Sequence, residues 1–213
     1  MGTWQAITVA VWIGTGLITG VWMARRGHDW RWTIVAVVLG PVFVPIALER
    51  VERNPRVAAS GADGTPAPRE ATHGSRVLVG VDGSPESDRA LDTALGLLGR
   101  DDGLLVLAEV VSYDDAEADD PGAVRSAAVH LDGAAARAAG AAVNLEVLAG
   151  PPGAALARYA ADADLDVIVV GRRGGGASAH LLGSVSSYLV RHSEIPVLVV
   201  EPRTAAREGP DPT

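Results

Sequence analysis

The chain has no cysteine. That excludes disulfides, thiolate metal centres, iron–sulfur clusters and cysteine nucleophiles. It also has no lysine; all 18 basic residues are arginine. A Walker A phosphate loop and a Schiff-base enzyme both require a lysine, so neither chemistry is available. Aromatic residues make up only 4% of the chain. With a net charge of −8, the chain lacks the positive excess that non-specific nucleic-acid binding needs, and no nucleic-acid partner is expected.

What is present is unevenly spread. The 213 residues suffice for one ordinary domain and a small addition. All five tryptophans, Trp4, Trp12, Trp22, Trp30 and Trp32, fall in the first 32 residues. Residues 1–56 carry six arginines and three acids, and residues 57–213 carry 12 arginines and 23 acids. A basic, tryptophan-rich head therefore precedes an acidic body, which implies two environments.

The head has the pattern of a membrane hairpin. Residues 1–24 have no charged side chain. A helix over 4–24 would span roughly 30 Å, the thickness of a bilayer core. Arg25, Arg26, His28, Asp29 and Arg31 form a polar turn, and a second uncharged run covers 32–48 with Pro41 and Pro45 inside it. Membrane helices tolerate such prolines. Trp4 and Trp22 bracket the first run, and Trp30 and Trp32 open the second, as indoles do in the headgroup layer. Trp12 is mid-span and does not fit that belt. Gly16 and Gly20 form a G-x-x-x-G that lets helices approach closely. A cleaved signal peptide would need basic residues before the run; here Arg25 and Arg26 follow it. The arginines flanking the second run match those of the turn in number, so charge alone does not orient the hairpin.

The expected organisation is a membrane hairpin over 1–53, a flexible linker over 54–75, a folded domain over 76–202 and a disordered tail over 203–213. The linker is rich in Ala, Gly, Pro, Ser and Thr without apolar periodicity. In the body, apolar runs at 77–81, 103–111, 142–148, 166–170 and 196–200 predict strands. Helical spacing over 86–98, 123–139, 154–163 and 183–192 predicts the helices between them. Strands alternating with helices imply a parallel sheet covered on both faces, with ligands outside the carboxyl ends of the strands. Two unusual loops fall there: 82–85 and 171–184.

The second loop, GRRGGGASAHLLGSVS, carries glycines that let backbone approach an anion. Gly183 and Ser184 then stand at a helix start, where free amides and the helix dipole favour negative charge. A glycine-rich surface turn is the alternative. Asp114 to Asp120 lack the pattern of a calcium loop and suggest a solvated mobile segment. Ser84 and Ser184 have no evident His–Asp pair, so no hydrolase triad is expected.

The body resembles the universal stress protein family. The carriers are Val79-Gly80-Val81-Asp82-Gly83-Ser84, the G-x-x-G of Gly171 to Gly174, Gly183-Ser184-Val185-Ser186 and Pro196-Val197-Leu198-Val199-Val200. The resemblance implies an α/β, flavodoxin-like, doubly wound sheet of five parallel strands in the order 3-2-1-4-5, here preceded by two transmembrane helices. It also implies a homodimer through the last strand, 196–200, and ATP binding in part of the family. By position, Asp82 would lie near the ribose or a metal, and Val110 would contact adenine. Gly171 and Gly174 would lie under the ribose and phosphates. Gly183, Ser184 and Val185 would hold the phosphates, and Arg172 and Arg173 would add charge. Val81, Gly83, Ser84 and Ser186 complete the set as members of the same motifs. The ATP-binding branch has nine residues between the second and third glycines; here eight separate Gly174 from Gly183.

The expected protein is a regulator held at the cell membrane through residues 1–53, with its domain in the cytoplasm. It would bind ATP, with Mg²⁺ as the nucleotide's companion ion, and act on a regulatory protein partner not named by the sequence. The alternative is a nucleotide-free dimerising interaction module of the same fold; a slow ATPase or phosphotransferase is the third reading. No residue is assigned a catalytic or metal-ligating role, since none is placed to activate water.

Overall fold

The computed structural model describes residues 2–24, 31–45, 47, 55–61, 74–98, 103–138, 140–172 and 182–201. The elements run α1 (Thr3–Ala24), α2 (Arg31–Leu39), a 3-10 turn (Gly40–Val42), β1 (Arg56–Ser60), β2 (Arg76–Gly80), α3 (Pro85–Leu98), β3 (Leu104–Val111), α4 (Tyr113–Ala116), α5 (Gly122–Arg137), β4 (Ala142–Ala149), α6 (Pro152–Asp162), β5 (Val167–Gly171), α7 (Ser184–His192) and β6 (Val197–Val200).

The sheet order is β1-β4-β3-β2-β5-β6. Strands β2 to β6 are all parallel, in the doubly wound order expected. The expectation of five strands needs correction. The sheet has six, and the extra one, β1, runs antiparallel to β4 within the segment read as a linker. Its sequence, RVAAS, has neither a long apolar run nor alternation; its ladder comes from β4, a partner 86 to 93 residues away in sequence.

Alternation along each strand distributes the apolar side chains to two faces. Val77, Val79, Leu105, Leu107, Val147 and Val169 pack under Ala90, Leu91 and Ala94 of α3 and Ala127, Leu131 and Ala134 of α5. Leu78, Val106, Ala108, Leu148, Ile168 and Val170 pack under Leu156, Tyr159 and Ala160 of α6 and Leu189 of α7. Each fully buried Leu or Ile contributes about 1.5–3 kcal/mol. The acidic segment after β3 is more ordered than a solvated loop. Ser112 caps the short α4 through Asp115 N at 3.0 Å, and Tyr113 is buried.

Helix α1 has 22 residues, about 33 Å of rise, and is the only described helix long and apolar enough to cross a membrane by length and composition. The second apolar segment does not form the continuous helix expected over 32–48; among the described residues its helical run is Arg31–Pro45, interrupted at Gly40–Val42. Gly40 takes φ +55° and Pro41 has no amide to donate, so α2 breaks into the 3-10 turn. The two helices pack closely: a Cβ on Gly16 would lie 2.4 Å from Ala36 O, and one on Gly20 would lie 2.5 Å from Thr33 Cα. Trp12, which fitted no interfacial belt, donates from Nε1 to Val38 O at 3.2 Å, beside the break.

Candidate functional site

Strands β2 and β5 are neighbours, but the chain leaves them toward opposite edges of the sheet. Beyond their carboxyl ends such a sheet opens a crevice. A cavity of about 190 Å³ lies there. Gly80, Val81 and Asp82 line it from β2, Ala108, Glu109 and Val110 from β3, and Val170 and Gly171 from β5; Ser87, Pro152, Leu156 and Val185 close it from the helices. The lining is mostly apolar. The volume is below the ~300 Å³ at which whole-ligand pockets begin, which suits a ring system with its polar part outside.

Local chemistry fixes each wall. Val81 N donates to Ala108 O at 2.8 Å and extends the β2–β3 ladder by one residue. Gly83 then turns the chain at φ +70°, a conformation costly for a residue with a Cβ. Asp82 Oδ1 accepts from Ser84 N at 3.1 Å and from Ser84 Oγ, and Ser84 Oγ accepts from Ser87 N at 3.2 Å. Ser84 is thus the buried cap of α3, with Pro85 in the first helical position. Gly171 has no room for a side chain: its Cβ would lie 2.9 Å from Glu86 Cβ.

The loop after β5 is closed at its base. Arg172 O accepts from Gly183 N at 2.9 Å and from Ser186 Oγ at 2.8 Å. The Arg172 guanidinium turns to Glu201, Nη1 to Oε1 2.8 Å. The amides of Ser184, Val185 and Ser186 open α7 without an acceptor among the described residues.

Of the residues singled out in the sequence, Val81, Asp82, Val110, Gly171 and Val185 come together around one cavity. Gly83 and Ser84 form the adjoining turn. Arg172, Gly183 and Ser186 build the base of the loop, their amide, carbonyl and hydroxyl groups bonded to one another. Ser184 is the exposed first residue of α7. Arg173 and Gly174 lie outside the described residues, as do His180 and the 203–213 tail.

Two neighbours of the cavity were missed. Glu109 is the one charged residue in the run LLVLAEVV, and that lone acid was the available signal. Its partner, His130 on α5, is 21 residues away with nothing local to announce it. His130 Nδ1 lies 3.0 Å from Glu109 Oε2, and the ring packs against Gly83. Burial raises the Glu109 pKa above its ordinary value, and nearby Asp82 adds to this; His130 opposes it less strongly. Among the described residues no group of three or more His, Asp or Glu side chains can hold a metal ion.

The Universal stress protein family matches residues 74–201, more than half of the chain. Universal stress protein G of Salmonella typhimurium is 54% identical over 37 residues, 17% of this chain and 26% of that protein. Universal stress protein Sll1388 of Synechocystis sp. is 41% identical over 63 residues, 29% of this chain and 41% of that protein. The chain thus spans between a quarter and about two fifths of the curated relatives it matches. Among solved structures, the hypothetical protein MJ0577 superposes with a TM-score of 0.55 at 20% identity, over 62% of this chain and 98% of its own, which establishes likeness of fold.

Proposed function

The chain belongs to the universal stress protein family, and we propose that it is a membrane-anchored member that binds ATP and acts as a regulator. The observation that carries the nucleotide reading is the cavity. It sits at the sheet's switch point, takes its lining from five of the motif residues and has an apolar floor of Ala108, Val110 and Leu156 suited to a purine. The ribose would lie toward Asp82, and the phosphates toward the open amides of Ser184 and Val185 at the start of α7. Mg²⁺ would accompany the nucleotide, its ligands coming from the phosphates. The proposed role is sensing; turnover is not part of the proposal. ATP as ligand puts the domain in the cytoplasm.

Support for the anchor comes from the 22-residue apolar α1, packed on α2 through Gly16 and Gly20, with Trp4, Ile18 and Val38 exposed. We further propose a homodimer through the last strand, 196–200. One observation favours the alternative of a nucleotide-free interaction module: the Gly183 amide and the Arg172 guanidinium, two expected phosphate contacts, are engaged elsewhere.

The deciding experiment is calorimetric titration of ATP into the full chain in detergent, beside Val110→Trp, which fills the cavity. Saturable binding lost in the variant supports the proposal. No heat from a folded protein overturns it in favour of the interaction module. The anchor has a separate test: recovery of the full chain in the supernatant after detergent-free ultracentrifugation overturns it.

A further inference from the structure

Strand β1 is the first element of the domain after the two apolar helices. It pairs with β4 in reverse, Arg56 opposite Ala149 and Ser60 opposite Glu146. Strands β2 to β6 share one direction, so all their carboxyl ends lie at the cavity end of the sheet. An antiparallel β1 must enter at that same end. Arg56 Nη2 pairs there with Glu117 Oε1 at 2.8 Å, just past the end of β3. Pro55 lies against Gly150, whose Cβ would be 3.4 Å from Pro55 Cα, and Pro152, two residues on, lines the cavity. The strand is held along its length: Ser60 Oγ donates to the buried Glu146 Oε2 at 2.7 Å, and Gly61 N donates to Leu145 O at 2.7 Å.

Chain geometry then limits where the domain can sit. From Ala47, the last described helical residue of the apolar segment, to Pro55 there are eight Cα steps, at most about 29 Å. Without β1, the free chain would run from Ala47 to Ser75, and its 28 steps could extend to about 100 Å. The far end of the sheet lies a further ~26 Å from the cavity end, the length of the eight-residue β3.

We propose that β1 is an orienting strap that holds the mouth of the cavity toward the bilayer, so that this face of the domain is apposed to the lipid headgroups. The proposal rests on the membrane reading of α1 and α2. Charge sets the separation. Asp115, Glu117, Asp119 and Asp120 lie at the same end, where Glu117 pairs with Arg56 and Asp120 with Arg125. The carboxylates of Asp115 and Asp119 are repelled by anionic lipid over a Debye length of about 8 Å at physiological salt. The face therefore stands off from the headgroups on a short leash rather than docking on them.

The absence of cysteine permits single-site labelling. Asp119→Cys marks the cavity end and Ala141→Cys the opposite end; both positions are exposed. The labelled full chain is placed in phosphatidylcholine nanodiscs with a minority of phosphatidylglycerol and an acceptor dye on the headgroups. Stronger energy transfer from position 119 than from 141 is expected. Ala59→Pro combined with Ser60→Ala releases the strand and should abolish the difference. Should that variant fail to fold, a flexible Gly-Ser insertion after Asn54, which leaves β1 intact, should weaken transfer from position 119. Equal transfer from both ends of the parent protein, or a difference that survives strand release, overturns the proposal. Failure of the protein to enter nanodiscs is a different result: it overturns the membrane reading, and the proposal with it.

Discussion

Ser60→Ala tests how firmly β1 is fixed. The Ser60 hydroxyl donates to Glu146 Oε2 at 2.7 Å, and Glu146 is 1% exposed, so water cannot readily take the donor's place. A hydrogen bond to a charged group contributes about 1.5–3 kcal/mol. Because β1 is an edge strand and can fray, about 1.5 kcal/mol is expected near neutral pH. The loss depends on pH in a direction the burial dictates. Burial holds the Glu146 carboxyl above its ordinary value of 4.5, outweighing the hydrogen bond from Ser60. A carboxyl with a higher pKa folded than unfolded binds more protons in the folded state. Its contribution to stability is therefore full in acid and declines as pH rises from the unfolded value through the folded one. Removing Ser60 raises the folded pKa further and steepens that decline. The gap between parent and variant should widen from acid to neutral pH, starting from the ~0.5–1.5 kcal/mol of a neutral hydrogen bond. Urea unfolding is the assay. Residues 57–213 contain no tryptophan, so tyrosine absorbance and far-UV circular dichroism follow the domain. A loss below about 0.5 kcal/mol, the level of an ordinary surface change, or a loss independent of pH, would refute the reasoning.

Gly83→Ala should lower stability by about 1–2 kcal/mol, because it places a Cβ at φ +70° and 3.2 Å from the His130 ring; a thermal melt measures it. Leu131→Ala, deep under α5, should cost about 2–5 kcal/mol in urea, whereas exposed Val129→Ala stays within about 0.5. Gly20→Leu should drive α1 from the Thr33 backbone, changing tryptophan emission while the circular dichroism of the α/β domain melts as before. His130→Ala removes the ring that hydrogen-bonds Glu109 and should raise that carboxyl's pKa further, read by carbon NMR; an unchanged or lowered value would show that the pair is not formed.

Much of the α/β body was legible in the chain itself. The continuous runs RVLVG and VIVVG mark strands buried on both faces, and the spacing of Ala90, Leu91 and Ala94 marks the helix that covers one of them. Val81, Asp82, Gly171 and Val185 stand at strand ends, turns and a helix start whose residue types announce tight turns and exposed amides, and parallel connectivity brings them to one end of the sheet. The short-range preferences agree with the fold there, so local reading suffices.

What the chain by itself determined is the alternation of strands and helices, and hence the parallel sheet, together with the contrast between an apolar, tryptophan-rich head and an acidic body. These follow from periodicity and composition, which each segment carries alone. Only the tertiary structure decided that RVAAS becomes a strand, that Trp12 answers the carbonyl of Val38, that Glu109 meets His130, and that the Gly183 amide is spent on Arg172. Each of these depends on a hydrogen-bonding group supplied from elsewhere in the chain. A polar group removed from water must find a partner, and the identity of that partner is a property of the packed fold rather than of the residue.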